Sequence, residues 1–207
     1  MDRQEDGFTL VEVSVALGIV ALVMSALAPF LVQSVGFVAY SRDREAAVRV
    51  ADDAIERVRA LKGSAVLAGR DPISSAAQWA AAPAAARPHL DRLTPGWDTD
   101  PLLPANAGAA AALPTAPQQR VVNNVRYTQQ WFVGRCRAQG GSGAADRPCR
   151  ASALADAAPA RPDVTMYEIV VAVTWPHRSC PAGRCAYVTS TLLSNAGDPV
   201  FTVTGGS

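Results

Sequence analysis

The sequence predicts an α+β protein in which one long N-terminal helix precedes a C-terminal antiparallel sheet. Three patterns predict this fold class. No charged residue occurs in residues 13–41, a stretch long enough for a membrane-spanning helix. Apolar residues then recur at every third or fourth position in residues 47–61, as they do on one face of a helix. Every second residue of 167–175 is apolar, and residues 125–133 alternate similarly, as in strands with one buried face.

The composition sets limits on what the protein binds and on where it folds. The 207 residues carry a formal net charge of +1, so no overall field attracts the chain to nucleic acid or to an acidic surface. All four cysteines lie in the C-terminal third, which predicts two disulfides and an oxidising compartment. Three pairings are open. We expect Cys136–Cys149 and Cys180–Cys185, because each pair is close in the chain and brackets a turn-like segment.

The uncharged stretch is predicted to be an anchored helix rather than a cleaved secretory signal. A signal peptide has a basic start, an apolar stretch of about 7–15 residues and a small-residue cleavage site. Here the first seven residues carry three acids against one arginine, and the apolar stretch is longer than that of a signal peptide. The single Ala-x-Ala match, at residues 26–28, is followed by Pro29, which is a poor residue at a scissile bond.

The run GFTLVE at residues 7–12 stands directly before the apolar stretch. A carboxylate in a membrane helix costs about 2.5–3.5 kcal/mol near the bilayer centre and less near the interface, so it usually has a partner. If the bond after Gly7 is cut, the new cationic amine of Phe8 lies one helical turn from Glu12. Pairing of Glu12 with this amine, in the same chain or in a neighbouring subunit, would compensate the buried charge. The alternative is a chance interfacial glutamate.

This run and the apolar stretch after it resemble the class III leader of type IV prepilins and type II secretion pseudopilins. The resemblance covers residues 1–62 and implies that a prepilin peptidase cuts after Gly7 and N-methylates Phe8. It further implies that Glu12 guides filament assembly and that Pro29 kinks the helix. The implied partners are the prepilin peptidase, other pilins or pseudopilins, and the assembly platform of the inner membrane. The fold of the family is a long helix laid on an antiparallel sheet.

The chain divides into five predicted segments. They are a leader (1–7), a transmembrane and filament-core helix (8–41), its amphipathic continuation (42–63), a connector rich in Ala and Pro (64–117), and a sheet domain (118–207). Gly63 is the expected C-cap of the helix, and Glu45/Arg49 is one of several opposite-charge pairs on its solvated side. Prolines interrupt helices in the connector, so only one short helix, near residues 74–82, is expected there.

The sheet domain contains turn signals as well as strands. Asn123-Asn124 favours a tight hairpin between residues 119–122 and 125–133. Residues 186–193 are expected to pair with 166–175 across the loop that holds Cys180 and Cys185. Residues 200–204 are expected to add a short edge strand.

Groups suited to catalysis or metal binding are few, and no cofactor is expected. His177, Cys180 and Cys185 have a spacing that would hold zinc with one further ligand, but an extracytoplasmic compartment favours the disulfide. No nucleophile–base pattern or phosphate-binding glycine loop occurs. Four arginines lie near Cys136 and Cys149 in the sequence. By resemblance to pili that take up DNA, such a basic patch would imply DNA binding. A solvated loop is favoured over a DNA site here, because stacking aromatics are not interleaved with these arginines, Arg135, Arg137, Arg147 and Arg150.

The function favoured by these patterns is a non-enzymatic pilus or pseudopilus subunit. The long connector and the stapled loop incline this towards a minor pilin. The protein would cross the inner membrane once, with its globular domain outside the cytoplasm, and then reach the pilus at the cell surface. Two alternatives remain: a single-pass envelope protein that binds another partner, and an exported enzyme with an unrecognised site. A mature chain that begins at N-methyl-Phe8, at Met1 or near residue 29 would distinguish the three.

Overall fold

The computed structural model describes residues 9–138 and 164–194. It has the predicted α+β, pilin-like architecture, with a long apolar N-terminal helix followed by a C-terminal antiparallel sheet. In chain order the helices and strands are α1 (Leu10–Arg59), α2 (Pro72–Ala80), α3 (Arg87–Leu90), β1 (Thr94–Pro95), β2 (Gln118–Val122), β3 (Val125–Ala138), β4 (Val164–Pro176) and β5 (Arg184–Ser194). The chain divides into two compact units, and the division falls inside α1 after Asp43.

The first part of α1 is largely apolar, and two of its serine side chains bond to the helix itself. The Ser14 hydroxyl donates to the Leu10 carbonyl oxygen at 2.8 Å, and the Ser25 hydroxyl donates to the Leu22 carbonyl oxygen at 2.8 Å. Such bonds satisfy a hydroxyl where water is absent. Pro29 lies inside the helix, and because proline has no N–H it donates no hydrogen bond to the Ser25 carbonyl.

The second part of α1 buries the predicted apolar stripe against the sheet domain. Ala47 and Val58 are fully buried, and Glu45 pairs with Arg49 at 3.8 Å on the exposed side. The expected C-cap at Gly63 is wrong, because the helix ends at Arg59. After that residue the backbone tightens, with the Leu61 N–H donating to the Val58 carbonyl oxygen, and Gly63 begins a separate 3-10 turn.

The sheet has the strand order β1-β3-β4-β5, and β2 also pairs with β3; every pairing is antiparallel. The predicted hairpin between β2 and β3 is confirmed, with Val122 opposite Val125. Its turn residues Asn123 and Asn124 have φ angles of 49° and 63°, the left-handed conformation that asparagine tolerates. The predicted pairing of residues 186–193 with β4 is also confirmed. The expected strand at residues 200–204 lies outside the described residues.

The expectation that β4 buries only one face is wrong. Ile169, Val171 and Val173 are buried on the face that holds α1, while Val170 and Ala172 are buried on the opposite face. The second face is covered by residues of the segment 64–117, among them Ala82, Ala86, Leu90 and Leu93. Strands covered on both faces are apolar at successive positions, which is how residues 169–173 read.

Segment 64–117 is therefore part of the core rather than only a connection between helix and sheet. The short helix expected near residues 74–82 is present as α2, whereas α3 and β1 were not expected. An ion pair fixes this segment to the sheet, because Arg92 Nη2 lies 2.5 Å from the Glu168 carboxylate on β4. Glu168 is nearly fully buried, whereas the Arg92 side chain is 34% exposed, so the pair lies at the edge of the core.

Candidate functional site

Helix α1 begins directly after Thr9, and its first turn joins Thr9 to Glu12. The Thr9 hydroxyl accepts a 3.3 Å hydrogen bond from the Glu12 N–H, and the Thr9 carbonyl accepts one of 3.2 Å from the Val13 N–H. Thr9 is thus the N-cap of the helix, and Thr-x-x-Glu is the spacing of a capping box. The Glu12 carboxylate stands in the first turn of α1, at the positive end of the helix dipole.

The side chains that follow form an uncovered apolar surface. Every large apolar side chain that the structure exposes from Leu10 to Val38 is at least 47% exposed, and Leu10 is 83% exposed. Water-soluble monomers rarely expose an apolar surface of this extent. The helix is long and apolar enough to cross a membrane, and no part of its most apolar 18-residue stretch is buried.

The same residues carry the likeness to known proteins. Residues 2–28 match the family model of the prokaryotic N-terminal methylation motif. The match spans the run GFTLVE and the first part of α1, so the chain carries a class III prepilin leader, as the resemblance implied. Comparison of the chain with curated proteins and with solved structures gave no match.

The leader and the helix together support a coarse description of the protein. The methylation motif supports a type IV pilin- or pseudopilin-type precursor that is a structural subunit. The apolar helix after the motif supports anchoring in a membrane. A leader of this kind implies processing by a prepilin peptidase and assembly with other pilins in a membrane.

The predicted site residues of the leader differ in what the structure describes of them. Gly7 and Phe8 lie outside the described residues. Glu12 is exposed in the first turn of α1, where a partner can reach its carboxylate. Pro29 lies on the same helix, about 25 Å further along at 1.5 Å per residue.

The cysteines lie on the sheet and in its loops. Cys180 and Cys185 form a disulfide, with their Cα atoms 5.1 Å apart, and it closes the loop between β4 and β5. Cys136 on β3 is buried and disulfide-bonded. Its expected partner, Cys149, lies outside the described residues.

The disulfide bears on the zinc alternative. The sulfur atoms of Cys180 and Cys185 are bonded to each other and are not thiolate ligands. His177 Nδ1 accepts a 3.2 Å hydrogen bond from the Ser179 N–H. Among the described residues, no group of three or more His, Cys, Asp and Glu side chains could hold a metal ion.

A groove of about 740 Å³ lies between the loop after α2 and the disulfide loop. Alanine and proline make up much of its described wall, and Thr128 and Thr174 contribute hydroxyls to it. Among the described residues that line this groove there is no carboxylate, imidazole or free thiol.

Sequence reasoning missed a buried polar cluster at the start of α2. Arg70 and Asp71 are 0% and 1% exposed. Arg70 donates hydrogen bonds to the Leu113 carbonyl oxygen and, at 2.7 Å, to Gln78 Oε1. Asp71 caps α2 by accepting from the Ser74 N–H at 2.8 Å, and it also accepts from the Gly108 N–H at 2.9 Å.

The same contacts set the charges of this cluster. Burial opposes ionisation of Asp71, but the backbone N–H groups that point at the carboxylate outweigh it and lower its pKa to about 2. Burial lowers the pKa of Arg70 to about 10, against the attraction of Asp71. The sequence signal that could have revealed the cap is Asp71-Pro72, an N-cap residue followed by proline at the first helical position.

Proposed function

We propose that the chain is a non-enzymatic subunit of a type IV pilus or pseudopilus, assembled through α1. One observation carries this proposal: a methylation motif at residues 2–28 leads into a helix with an uncovered apolar surface. Such a surface needs lipid around it before assembly and neighbouring helices around it afterwards. A single helix that is apolar on every side meets both needs.

Processing is proposed to take place at Gly7, with cleavage and N-methylation of Phe8 by a prepilin peptidase. The helix begins at Leu10 and is capped by Thr9, so the proposed new terminus directly precedes its first turn. Glu12 then carries a carboxylate one turn away from a cationic amine. Pairing these two groups, within one chain or between neighbours, reduces the cost of placing either one in an apolar core.

The proposed location is the inner membrane, which the chain crosses once, and then the pilus at the cell surface. The Cys180–Cys185 disulfide supports a sheet domain outside the cytoplasm, because disulfides persist in oxidising compartments. The proposed partners are the peptidase, other pilins or pseudopilins and the assembly platform of the inner membrane. Pro29 is proposed to kink α1, which the missing hydrogen bond to the Ser25 carbonyl supports.

Within this class we favour a minor pilin. Segment 64–117 and the disulfide loop place irregular, individually shaped surfaces around the sheet, and such loops are where binding specificity usually lies. The alternative is a single-pass envelope protein that keeps its leader and binds another partner.

Mass spectrometry of the protein purified from bacterial membranes tests the proposal. Co-expression with a prepilin peptidase should give a chain that begins at N-methyl-Phe8, and omission of the peptidase should leave Met1 in place. An intact leader in the presence of a peptidase that processes a known prepilin in the same cells would favour the envelope-protein alternative. A start near residue 29 would instead indicate an exported protein.

A further inference from the structure

The charges of the sheet are distributed unevenly, although the formal net charge of the whole chain is only +1. Residues 118–138 and 164–194 contain six arginines and one acidic residue, Glu168. Glu168 is buried and already paired with Arg92. The described strands and the turns between them therefore carry an excess of positive charge that they do not compensate themselves.

Three of these arginines lie at one end of the sheet, which we call the arginine end. Arg126 follows the turn between β2 and β3, Arg178 lies in the loop between β4 and β5, and Arg184 begins β5. All three residues are exposed, and none forms an ion pair with a described residue. Their charges are thus accessible to an anionic partner.

Arg126 and Arg184 stand close enough to bind one anionic surface together. The register of β3 and β4, continued by two residues, places Arg126 opposite Pro176, and Pro176 pairs with Arg184. Two strand spacings separate the arginines, so their Cα atoms lie about 10 Å apart on the same face. Both line an open groove of about 720 Å³, whose described lining includes the Thr128 hydroxyl but no carboxylate.

The arginine end is also the end at which the uncharged stretch leads into this part of the protein. The compact unit that contains the sheet begins at Arg44 on α1. The Gln129 side chain of β3 bonds to the Val50 carbonyl oxygen, and that of Trp131 bonds one turn further along α1. Strand β3 therefore runs in the same direction as this part of α1, and the turn before β3 lies towards Arg44.

We propose that the arginine end binds the phosphate groups of anionic phospholipids in the membrane that anchors α1. A guanidinium group can bind phosphate through two parallel hydrogen bonds. Several basic residues beside a membrane act together in attracting anionic lipid. Arg42 and Arg44 are the first basic residues after the uncharged stretch, and both are exposed, so basic charge also follows the membrane segment directly in the sequence.

This inference rests on the anchoring of α1 in a membrane and not on assembly into a pilus. Nucleic acids and free phosphate ions carry the same chemical group. The direction of the arginine end favours lipid, because the anchor holds these arginines beside headgroups and so gives a high effective concentration.

Hydrogen exchange of the full-length chain in nanodiscs tests the proposal. One set of nanodiscs contains phosphatidylcholine alone, and the other contains equal amounts of phosphatidylcholine and phosphatidylglycerol. The amides of residues 122–126 and 177–184 should exchange several-fold more slowly in the anionic nanodiscs, and added salt should remove most of this difference. Equal exchange in the two sets would overturn the proposal. Because the chain is inserted in both, that result would leave membrane anchoring intact.

Two variants locate the effect on the sheet. The test variant replaces all three residues of the arginine end, Arg126→Gln, Arg178→Gln and Arg184→Gln. The control variant removes the same charge from exposed positions elsewhere in the unit, Arg59→Gln, Lys62→Gln and Arg87→Gln. The test variant should exchange alike in the two sets of nanodiscs, and the control should keep the wild-type difference. The same behaviour of both variants would overturn the proposal.

Two additions to the phosphatidylcholine nanodiscs distinguish lipid from other sources of phosphate. Neither inorganic phosphate nor a double-stranded DNA oligonucleotide should slow exchange at the arginine end as much as phosphatidylglycerol does. Equal or greater protection by the oligonucleotide would assign this surface to nucleic acid and overturn the lipid proposal. Equal protection by inorganic phosphate would overturn it too, since a free anion would then suffice.

Discussion

The indole Nε1 of Trp131 on β3 donates a hydrogen bond of 3.3 Å to the Ala54 carbonyl oxygen of α1. One turn earlier, Gln129 Nε2 donates to the Val50 carbonyl oxygen at 3.0 Å, and Arg57 lies 5.6 Å from the centre of the indole ring. Both carbonyls belong to the ladder of the helix, so each accepts a second bond from the sheet. These bonds fix the rotation of the helix about its axis as well as its distance from β3.

Two substitutions of Trp131 should separate the contribution of its hydrogen bond to stability from the contribution of its packing. Trp131→Phe keeps an apolar ring but removes the donor, and it should lower the free energy of unfolding by about 1 kcal/mol. Trp131→Ala should cost about 3–5 kcal/mol, because it also leaves a cavity. Urea unfolding of the full-length protein in detergent, followed by far-ultraviolet circular dichroism, measures both. Val121→Ala, at an exposed position, is the control, and equal losses for Phe and Ala would contradict this division.

The α1 side of the sheet was predictable from the sequence, and the other side was not. Alternation in residues 167–175 and the stripe in 47–61 are local patterns, and the structure packs them together. The cover on the second face comes from Ala82, Ala86 and Leu90, which are separated by turns and prolines and have no sustained period. Arg70 illustrates the same limit, because its burial depends on the distant Leu113 carbonyl and nothing in the sequence marks it.

The leader was the most predictable part of the candidate site, since its motif is a contiguous run of residues. The capping bond between Thr9 and Glu12 also follows from local spacing. A pairing of Glu12 with the amine of another subunit depends on how two chains pack together, which the sequence of one chain does not specify.

Gly7→Val should leave the leader attached. A β-branched side chain before the scissile bond should exclude the chain from a site that accepts glycine. Immunoblotting in the presence of a prepilin peptidase should show the slower, unprocessed form and no mature band. Asp6→Ala, one residue away, is the matched control and should be processed normally. A mature band of wild-type intensity for Gly7→Val would remove Gly7 from the scissile position.

Glu12→Ala should separate processing from assembly. Removing the charge eases burial in the membrane, so insertion and cleavage should stay at wild-type levels, whereas incorporation into filaments should fall because the neighbouring amine loses its partner. Glu12→Gln keeps the shape and should be impaired no more than the alanine variant. Immunoblots of sheared filaments against membrane-retained protein give the ratio. Thr9→Ser, which keeps a capping hydroxyl, serves as the control, and normal incorporation of Glu12→Ala would show that the carboxylate is incidental.

Asp71 should make the sheet domain sensitive to acid. Its pKa is lowered to about 2 in the folded chain from an ordinary value of 3.8, so its contribution to stability is complete above about pH 4. The contribution is lost as the pH falls from about 4 to about 2. Asp98 acts in the same direction, since the Gly69 N–H lowers the pKa of its carboxyl. Asp71→Asn should flatten the fall in melting temperature over this range.

Asp52→Asn is the control for Asp71→Asn, because it removes the same charge from the exposed side of α1. Melting temperatures of the full-length protein in detergent, recorded between pH 2 and pH 6, should fall less steeply for Asp71→Asn than for Asp52→Asn. Parallel curves for the two variants would show that the capping carboxylate does not determine the acid response.

Gly134→Ala should destabilise the sheet by overpacking. A Cβ atom at this position would lie 2.7 Å from the Cβ of Leu93. Forcing a methyl group into such a contact typically costs about 1–3 kcal/mol. Leu93→Ala keeps the Cβ but removes Cδ1 and Cγ, which would lie 2.8 Å and 3.2 Å from the new methyl group. The double variant should therefore be somewhat less destabilised than the sum of the two single variants. Additive losses in urea unfolding would show that the two residues do not compete for space.

The cover on the second face of the sheet has an evolutionary consequence. Outside its two-residue strand, segment 64–117 presents turns and short helices whose outer residues can be exchanged without disturbing the strand pairings beneath them. The exposed residues of this segment can therefore vary independently of the N-terminal methylation motif at residues 2–28, which lies in another part of the chain. Exposed positions of segment 64–117 are therefore expected to accumulate substitutions and length changes faster than the leader.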